Sequence, residues 1–101
     1  RIRQVGDVFI PNVFSPNGDG INDHFFVTGD ARILVYHMQI FDRWGNMVFD
    51  KAPSEINQPD QGWDGRFKGE YLNPAVFGYV ISLGFPDGHK ETLFGDVTIA
   101  R

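Results

Sequence analysis

Apolar and polar residues alternate along most of the chain, and a period of two is typical of β-strands that have one buried face. The clearest segment covers residues 76–85, in which every second residue from Phe77 onward is aromatic or aliphatic. Residues 33–41 alternate as well. The apolar phase of this second segment consists of Leu34, Tyr36, Met38 and Ile40. We therefore expect two long strands, the second with one wholly apolar face.

Shorter alternating segments predict further strands at residues 7–10, 24–28, 47–49 and 91–99. Residues 42–46 and 86–89 are rich in the Asp, Asn, Gly and Pro residues that hairpin turns require. Residues 51–61 contain two prolines and mostly polar side chains, which indicates a loop long enough to cross between sheets. No segment sustains an apolar spacing of 3.6 residues, so no helix is predicted.

These elements predict an all-β fold, namely an immunoglobulin-like antiparallel β-sandwich of about seven strands. The chain has 101 residues, and we expect one domain over residues 1–101 with its own core. There is no cysteine, which excludes an antibody-type domain with its paired cysteines. Because the alternation continues through residues 95–101, we expect the chain to finish inside a sheet.

Composition excludes some classes of partner. Nine basic and thirteen acidic residues give a net charge of −4, and no segment clusters Lys and Arg, so a nucleic acid is not expected. The apolar runs are short, and the first residues do not form a basic and apolar leader. The sequence therefore predicts neither a membrane span nor an N-terminal export signal within it.

An enzyme is not expected either. The serines and histidines do not occur in a recognisable nucleophile motif, and a sandwich of this size has little room for a cleft with two facing carboxylates.

A loop rich in Gly, Asn and Asp at residues 12–23 is the best candidate for a metal site. Calcium binds six to eight oxygen atoms. The spacing of the Asn and Asp residues in this loop does not match the spacing of the ligands in an EF-hand. The predicted ligands are the side chains of Asn17, Asp19 and Asp23 and the carbonyl of Ile21. A further carboxylate, Asp64 or Asp96, would have to complete the shell. The alternative is a metal-free turn in which these side chains accept hydrogen bonds from local N–H groups.

Both tryptophans, Trp44 and Trp63, precede or follow a Gly-containing turn. We expect them to pack over the open end of the sandwich as part of the core. The alternative is that they are exposed and stack on sugar rings.

Four segments in the same order resemble a known family: residues 10–23 (IPNVFSPNGDGIND), 40–49 (IFDRWGNMVF), 62–65 (GWDG) and 95–101 (GDVTIAR). They look like the gliding-motility-associated C-terminal domain, which is the type B C-terminal signal of type IX secretion substrates in Bacteroidota. The resemblance covers residues 10–101.

This resemblance implies a non-enzymatic sorting domain at the C-terminus of a larger surface protein, often an adhesin. Its expected partners are the outer-membrane β-barrel components of the type IX translocon, with a cargo protein covalently attached at the N-terminus. The expected location is the cell surface or the extracellular space, reached through the periplasm and the outer membrane.

The recognised surface is predicted to include Arg43, Trp44, Asp96 and Arg101. The terminal strand, residues 94–101, would bind either by adding to the edge of a partner sheet or as part of a formed surface. Arg43 could instead pair with Asp42 or another carboxylate. The alternative function is a calcium-stabilised carbohydrate-binding or adhesive module, which should expose Tyr71 together with a tryptophan on one face.

Overall fold

The computed structural model describes residues 2–18, 20 and 22–100, the first four of them as backbone only. Within these residues the secondary structure is almost entirely β. The elements are β1 (Ile2–Val5), β2 (Val8–Pro11), β3 (Val13–Phe14), β4 (Thr28–Gly29), β5 (Leu34–Phe41), β6 (Met47–Lys51), β7 (Ser54–Glu55), a 3₁₀ helix (Pro59–Gln61), β8 (Arg66–Phe67), β9 (Glu70–Tyr71), β10 (Val76–Gly84) and β11 (Lys90–Ile99).

The strands form a β-sandwich, which confirms the predicted fold class. The larger sheet has the order β3-β11-β10-β5-β6, with β7 also paired to β5. The smaller sheet has the order β1-β2-β4, and β8 and β9 form a separate hairpin. All pairs are antiparallel except β3 with β11, which is parallel. More strands occur than the seven expected, because several contain only two residues and leave no alternation to detect.

The core lies where the apolar faces of the two larger sheets meet. Val8 and Ile10 of β2 belong to the same buried cluster as alternate residues of β10 and β11. The predicted inward phase of β10 is confirmed, since Phe77, Tyr79, Ile81 and Leu83 are all buried. Burying these side chains supplies the main stabilisation of a domain that has no disulfide.

The predicted apolar face of β5 is wrong over its first half. Leu34 is 55% exposed and Tyr36 is also exposed, whereas Val35 is buried. The pairing with β10 explains this, because His37 lies opposite Ser82 but Val35 lies opposite Leu83. The extra residue forms a β-bulge, which exchanges the inward and outward phases of the strand. From Met38 onward the prediction holds.

Other boundaries differ from the sequence predictions at the ends of the elements. The hairpin turns at residues 42–46 and 86–89 are confirmed. The strand expected at residues 24–28 is reduced to β4 and an isolated bridge between Phe25 and Trp63. The predicted loop at residues 51–61 contains β7 and the 3₁₀ helix. Among the described residues, no helix is long and apolar enough to cross a membrane.

Candidate docking site

Trp63 anchors one end of the sandwich. Its side chain is fully buried, as the sequence predicted, and its ring centroid lies 5.1 Å from that of Phe77 and 5.5 Å from that of Phe14. The indole Nε1–H donates to the carbonyl of Arg66 at 2.9 Å. Trp63 and Phe25 also exchange two backbone hydrogen bonds, of 2.8 and 2.9 Å. The tryptophan therefore fixes the start of β8 on the core.

The glycines on either side of Trp63 allow this segment to approach residues 14–25 closely. A Cβ on Gly62 would lie 2.3 Å from the Phe25 carbonyl oxygen, and one on Gly65 would lie 2.9 Å from Cγ of Pro16. Gly65 also has a φ of +83°, which favours glycine. Two motifs that are about forty residues apart in the sequence thus form one structural unit.

The loop that follows β3 is closed by Asp23. Its Oδ1 accepts the N–H groups of Asn17 and Gly18 at 3.2 and 3.1 Å, and its Oδ2 accepts the N–H of Gly20 at 2.7 Å. Desolvation of this carboxylate acts to raise its pKa. The three N–H groups outweigh that effect and hold the pKa of Asp23 below its ordinary value. These contacts match the metal-free alternative for the loop.

Calcium binding at this loop stays a prediction. Two of the proposed ligands, Asp19 and Ile21, lie outside the described residues. Asp64 lines the same depression as Asp23, whereas Asp96 lies opposite Gly78 in the β10–β11 pairing. Within residues 2–18, 20 and 22–100, no group of three or more His, Asp or Glu side chains could hold a metal ion.

Asp42 stabilises the turn between β5 and β6. Its Oδ1 accepts the N–H groups of Trp44 and Asn46, both at 2.9 Å, and its Oδ2 accepts the side-chain amide of Asn46 at 3.1 Å. Desolvation opposes ionisation, but these donors prevail and lower the pKa of Asp42. Arg43 forms no ion pair with any described residue, so the expected alternative of an Arg43–Asp42 pair is not found.

Trp44 is 79% exposed, and the prediction that it belongs to the core is wrong. Trp44 lies in the turn that Asp42 stabilises, and most of its ring is in solvent. The guanidinium carbon of Arg43 lies 5.8 Å from the ring centroid, a distance typical of a cation–π contact. Both predicted surface residues of this turn are therefore accessible.

A groove of about 230 Å³ lies beside this turn and reaches the β8–β9 hairpin and the start of β10. We call it the Trp44 groove. Its exposed apolar walls are Trp44, Phe67 and Val76, and its floor includes Val48 and Phe77. Asp42, Arg43, Leu72, Asn73 and Ala75 complete the lining.

This groove was not predicted, because the β8–β9 hairpin that forms part of it was not predicted. Its signal is the dipeptide Lys68-Gly69 between two pairs of strand residues. Lys68 has a φ of 54° and Gly69 a φ of 84°, and positive values at both positions define a type I′ hairpin turn. The two-residue spacing with a final glycine could have revealed it.

The last strand ends inside the larger sheet, as expected. β3 pairs with its final residues, so that Thr98 donates to the Asn12 carbonyl and Ala100 to the Phe14 carbonyl, both at 2.9 Å. Asp96, a predicted docking residue, is exposed on the same strand. Arg101, the other predicted residue at this end, lies outside the described residues.

The aromatic platform expected of a sugar-binding module is divided. Trp63 is buried and Trp44 lies in its groove, while Tyr71 lines the depression next to Asp23. The guanidinium carbon of Arg66 lies 4.4 Å from the Tyr71 ring centroid and covers one face of the ring. Trp44 and Tyr71 line different concave surfaces.

A family model matches most of the chain. The family model described as CHU_C type IX secretion signal domain matches residues 8–99. The matched region contains the loop closed by Asp23, the Asp42 turn, the Trp63 segment and all of β11. No significant match to a curated protein is found.

Proposed function

The chain belongs to the type IX secretion signal domain family, and on this premise we propose that it directs a larger protein through the outer-membrane type IX translocon. The family match over residues 8–99 is the observation that supports this function. The domain would act without catalysis, as a folded address joined to an N-terminal cargo. The cargo would then reach the cell surface or the extracellular space.

The position of β11 favours recognition of a formed surface over addition of the terminal strand to a partner sheet. Both sides of its last residues are occupied, by β10 on one side and β3 on the other. A partner strand could bind there only after displacing β3 and its hydrogen bonds to Thr98 and Ala100. An exposed turn needs no such rearrangement, and Arg43 and Trp44 already lie at the surface.

The adhesive alternative has one observation in its favour, which is the exposure of Trp44. A sugar-binding site needs several aromatic and polar groups on one surface, and Tyr71 lies elsewhere with one ring face covered by Arg66. We therefore prefer the export signal.

The export function is tested by fusing residues 1–101 to the C-terminus of a periplasm-targeted fluorescent reporter in a cell with a working type IX system. We expect the reporter at the surface or in the medium, and in the periplasm of a strain without the translocon. A Val97→Asp fusion places a charge in the core, unfolds the domain and should be retained. A folded wild-type fusion that stays in the periplasm would contradict the proposal.

A further inference from the structure

We propose that the Trp44 groove binds a short linear segment of the translocon in which an apolar side chain stands next to a carboxylate. This inference rests on the proposed export function and identifies the chemistry of the partner. The groove offers an apolar cavity for one side chain and positive charge at its rim, and each of these features restricts the ligand.

Exposed apolar side chains form the walls of the groove. Trp44, Val76 and Phe67 are 79%, 53% and 37% exposed, and all three line the same groove. Exposed apolar side chains that cluster around a concavity mark interaction sites more often than scattered ones do. Exposed tryptophans in particular supply much of the binding energy at protein interfaces.

The size of the groove favours a peptide side chain over a whole small molecule. Its volume of about 230 Å³ is below the range of roughly 300 to 1,000 Å³ typical of small-molecule pockets. A groove of this kind accommodates one large side chain of an extended segment, while the rest of the segment lies on the surface.

The charge at the rim selects a carboxylate. Arg43 lies over Trp44, and Nζ of Lys68 lies 5.3 Å from the ring centroid of Phe67, which is itself part of the groove. Neither cation forms an ion pair with a described residue. Both cations therefore lie beside apolar walls of the groove, and no described carboxylate occupies their N–H groups. An arginine stacked on a ring keeps its N–H groups available to a carboxylate.

The described acidic groups near the rim keep their negative charge, but none of them pairs with Arg43 or Lys68. The carboxylate of Asp42 accepts three hydrogen bonds within its own turn. Asp64 accepts the backbone N–H of Arg66 at 3.0 Å and lies 3.8 Å from its guanidinium. Local donors thus hold both acids in place, and a ligand carboxylate would meet the N–H groups of Arg43 and Lys68.

The walls of the groove are held in place before a ligand binds. Asp42 stabilises one wall, and on the other side Trp63 donates to the Arg66 carbonyl while the N–H of Leu72 donates to the Gly65 carbonyl at 2.9 Å. A preformed site loses little conformational entropy on binding, so even a short segment can bind measurably.

The first experiment selects random linear peptides displayed on phage against the immobilised domain, with removal of those that bind the Trp44→Ala variant. We expect the remaining peptides to carry Asp or Glu next to an aromatic or aliphatic residue. Replacing that acid by its amide in a synthetic peptide should weaken binding about threefold to tenfold. Arg43→Gln should weaken the acidic peptide similarly, and Trp44→Ala should weaken it at least about tenfold.

Lys90→Gln provides a matched control. Nζ of Lys90 lies 4.8 Å from the ring centroid of Tyr36, so this pair has the same chemistry as Arg43 with Trp44 but lies outside the Trp44 groove. Peptide affinity should not change in this variant. Nitrogen–proton correlation spectra should show the indole signal of Trp44 shifting with peptide and that of buried Trp63 remaining fixed.

Several results would overturn the groove proposal. These are the recovery of no peptide that depends on Trp44, a preference for neutral or basic peptides, and an equal loss of affinity with Lys90→Gln.

Export assays separate this proposal from the proposed function. Export of the wild-type fusion and equally of Trp44→Ala and Arg43→Gln fusions would reject the groove alone. Peptide binding without export of the wild-type fusion would reject the export function and leave a peptide-binding groove.

Discussion

The two tryptophans occupy opposite environments although each lies within two residues of an aspartate and a glycine. Trp63 follows Gly62, pairs with Phe25 through the backbone and is fully buried. Trp44 lies in a turn that Asp42 closes, and its side chain is largely in solvent. The comparison shows that backbone pairing decides whether the aromatic group builds the core or remains available to a partner.

The largest effect expected from this comparison is on stability. Trp63→Ala should lower the free energy of unfolding by about 3–5 kcal/mol, because it leaves a cavity among Phe14 and Phe77 and an unpaired Arg66 carbonyl. Trp44→Ala should change it by no more than about 0.5 kcal/mol. Urea unfolding of the two variants checks this difference, and similar losses for both would contradict the assignment of Trp63 as the anchor.

The glycines beside the tryptophans sharpen the comparison. Gly45 and Gly65 have nearly equal φ values of +84° and +83°, but a Cβ has open space at Gly45 and meets Pro16 at Gly65. Alanine at either position should lower the free energy of unfolding by roughly 1–2 kcal/mol, because its backbone disfavours this conformation. Gly65→Ala should lower it by about 1 kcal/mol more, because the new Cβ meets Pro16. The difference between the urea unfolding midpoints of the two variants measures the effect of the Pro16 contact. Equal losses of stability would show that Pro16 moves away freely.

The loop beside the Trp63 anchor gives a third, smaller effect. An amide at position 23 cannot accept hydrogen bonds at both of its side-chain atoms, so Asp23→Asn loses the contact to Gly20 or those to Asn17 and Gly18. We expect Tm to fall by a few degrees with a chelator present, because these hydrogen bonds form without a metal. A loss seen only with calcium would establish the metal site instead.

The smallest effect concerns acid. Because the folded-state pKa of Asp42 is lowered, its carboxylate contributes stability that is present above the ordinary carboxyl pKa and is lost as the pH falls through the lower folded value. Below about pH 4 the Trp44 turn should loosen, which would shift the Trp44 indole signal before that of Trp63. Asp42→Asn should remove this pH dependence, and an unchanged profile in that variant would assign the effect to another carboxyl group.

The sequence predicted the parts of the fold that depend on regular alternation. β10 was placed correctly because its inward phase is apolar without interruption. The bulge in β5 was not predictable, because both phases contain apolar residues near position 36 and one inserted residue leaves the composition unchanged. The first strand was missed as well, although Gly6 and Asp7 form the two-residue connection to β2.

The candidate site was predicted less completely than the fold. Arg43 and Trp44 were expected at the recognised surface, but the outward direction of Trp44 depends on hydrogen bonds from the turn to Asp42. The groove itself combines a turn, a hairpin and the start of a strand, and its lining extends from Asp42 to Phe77 in the sequence. Periodicity within one segment carries no information about such a combination.

The place of β11 in the chain order determines when the larger sheet can be completed during synthesis. This strand lies between β3 and β10 in the larger sheet, yet among the described strands it is the last to be synthesised. A polypeptide whose synthesis stops before β11 leaves β3 without its partner and exposes one side of β10. If the folded domain is the address, as proposed, only chains translated through residue 99 present it.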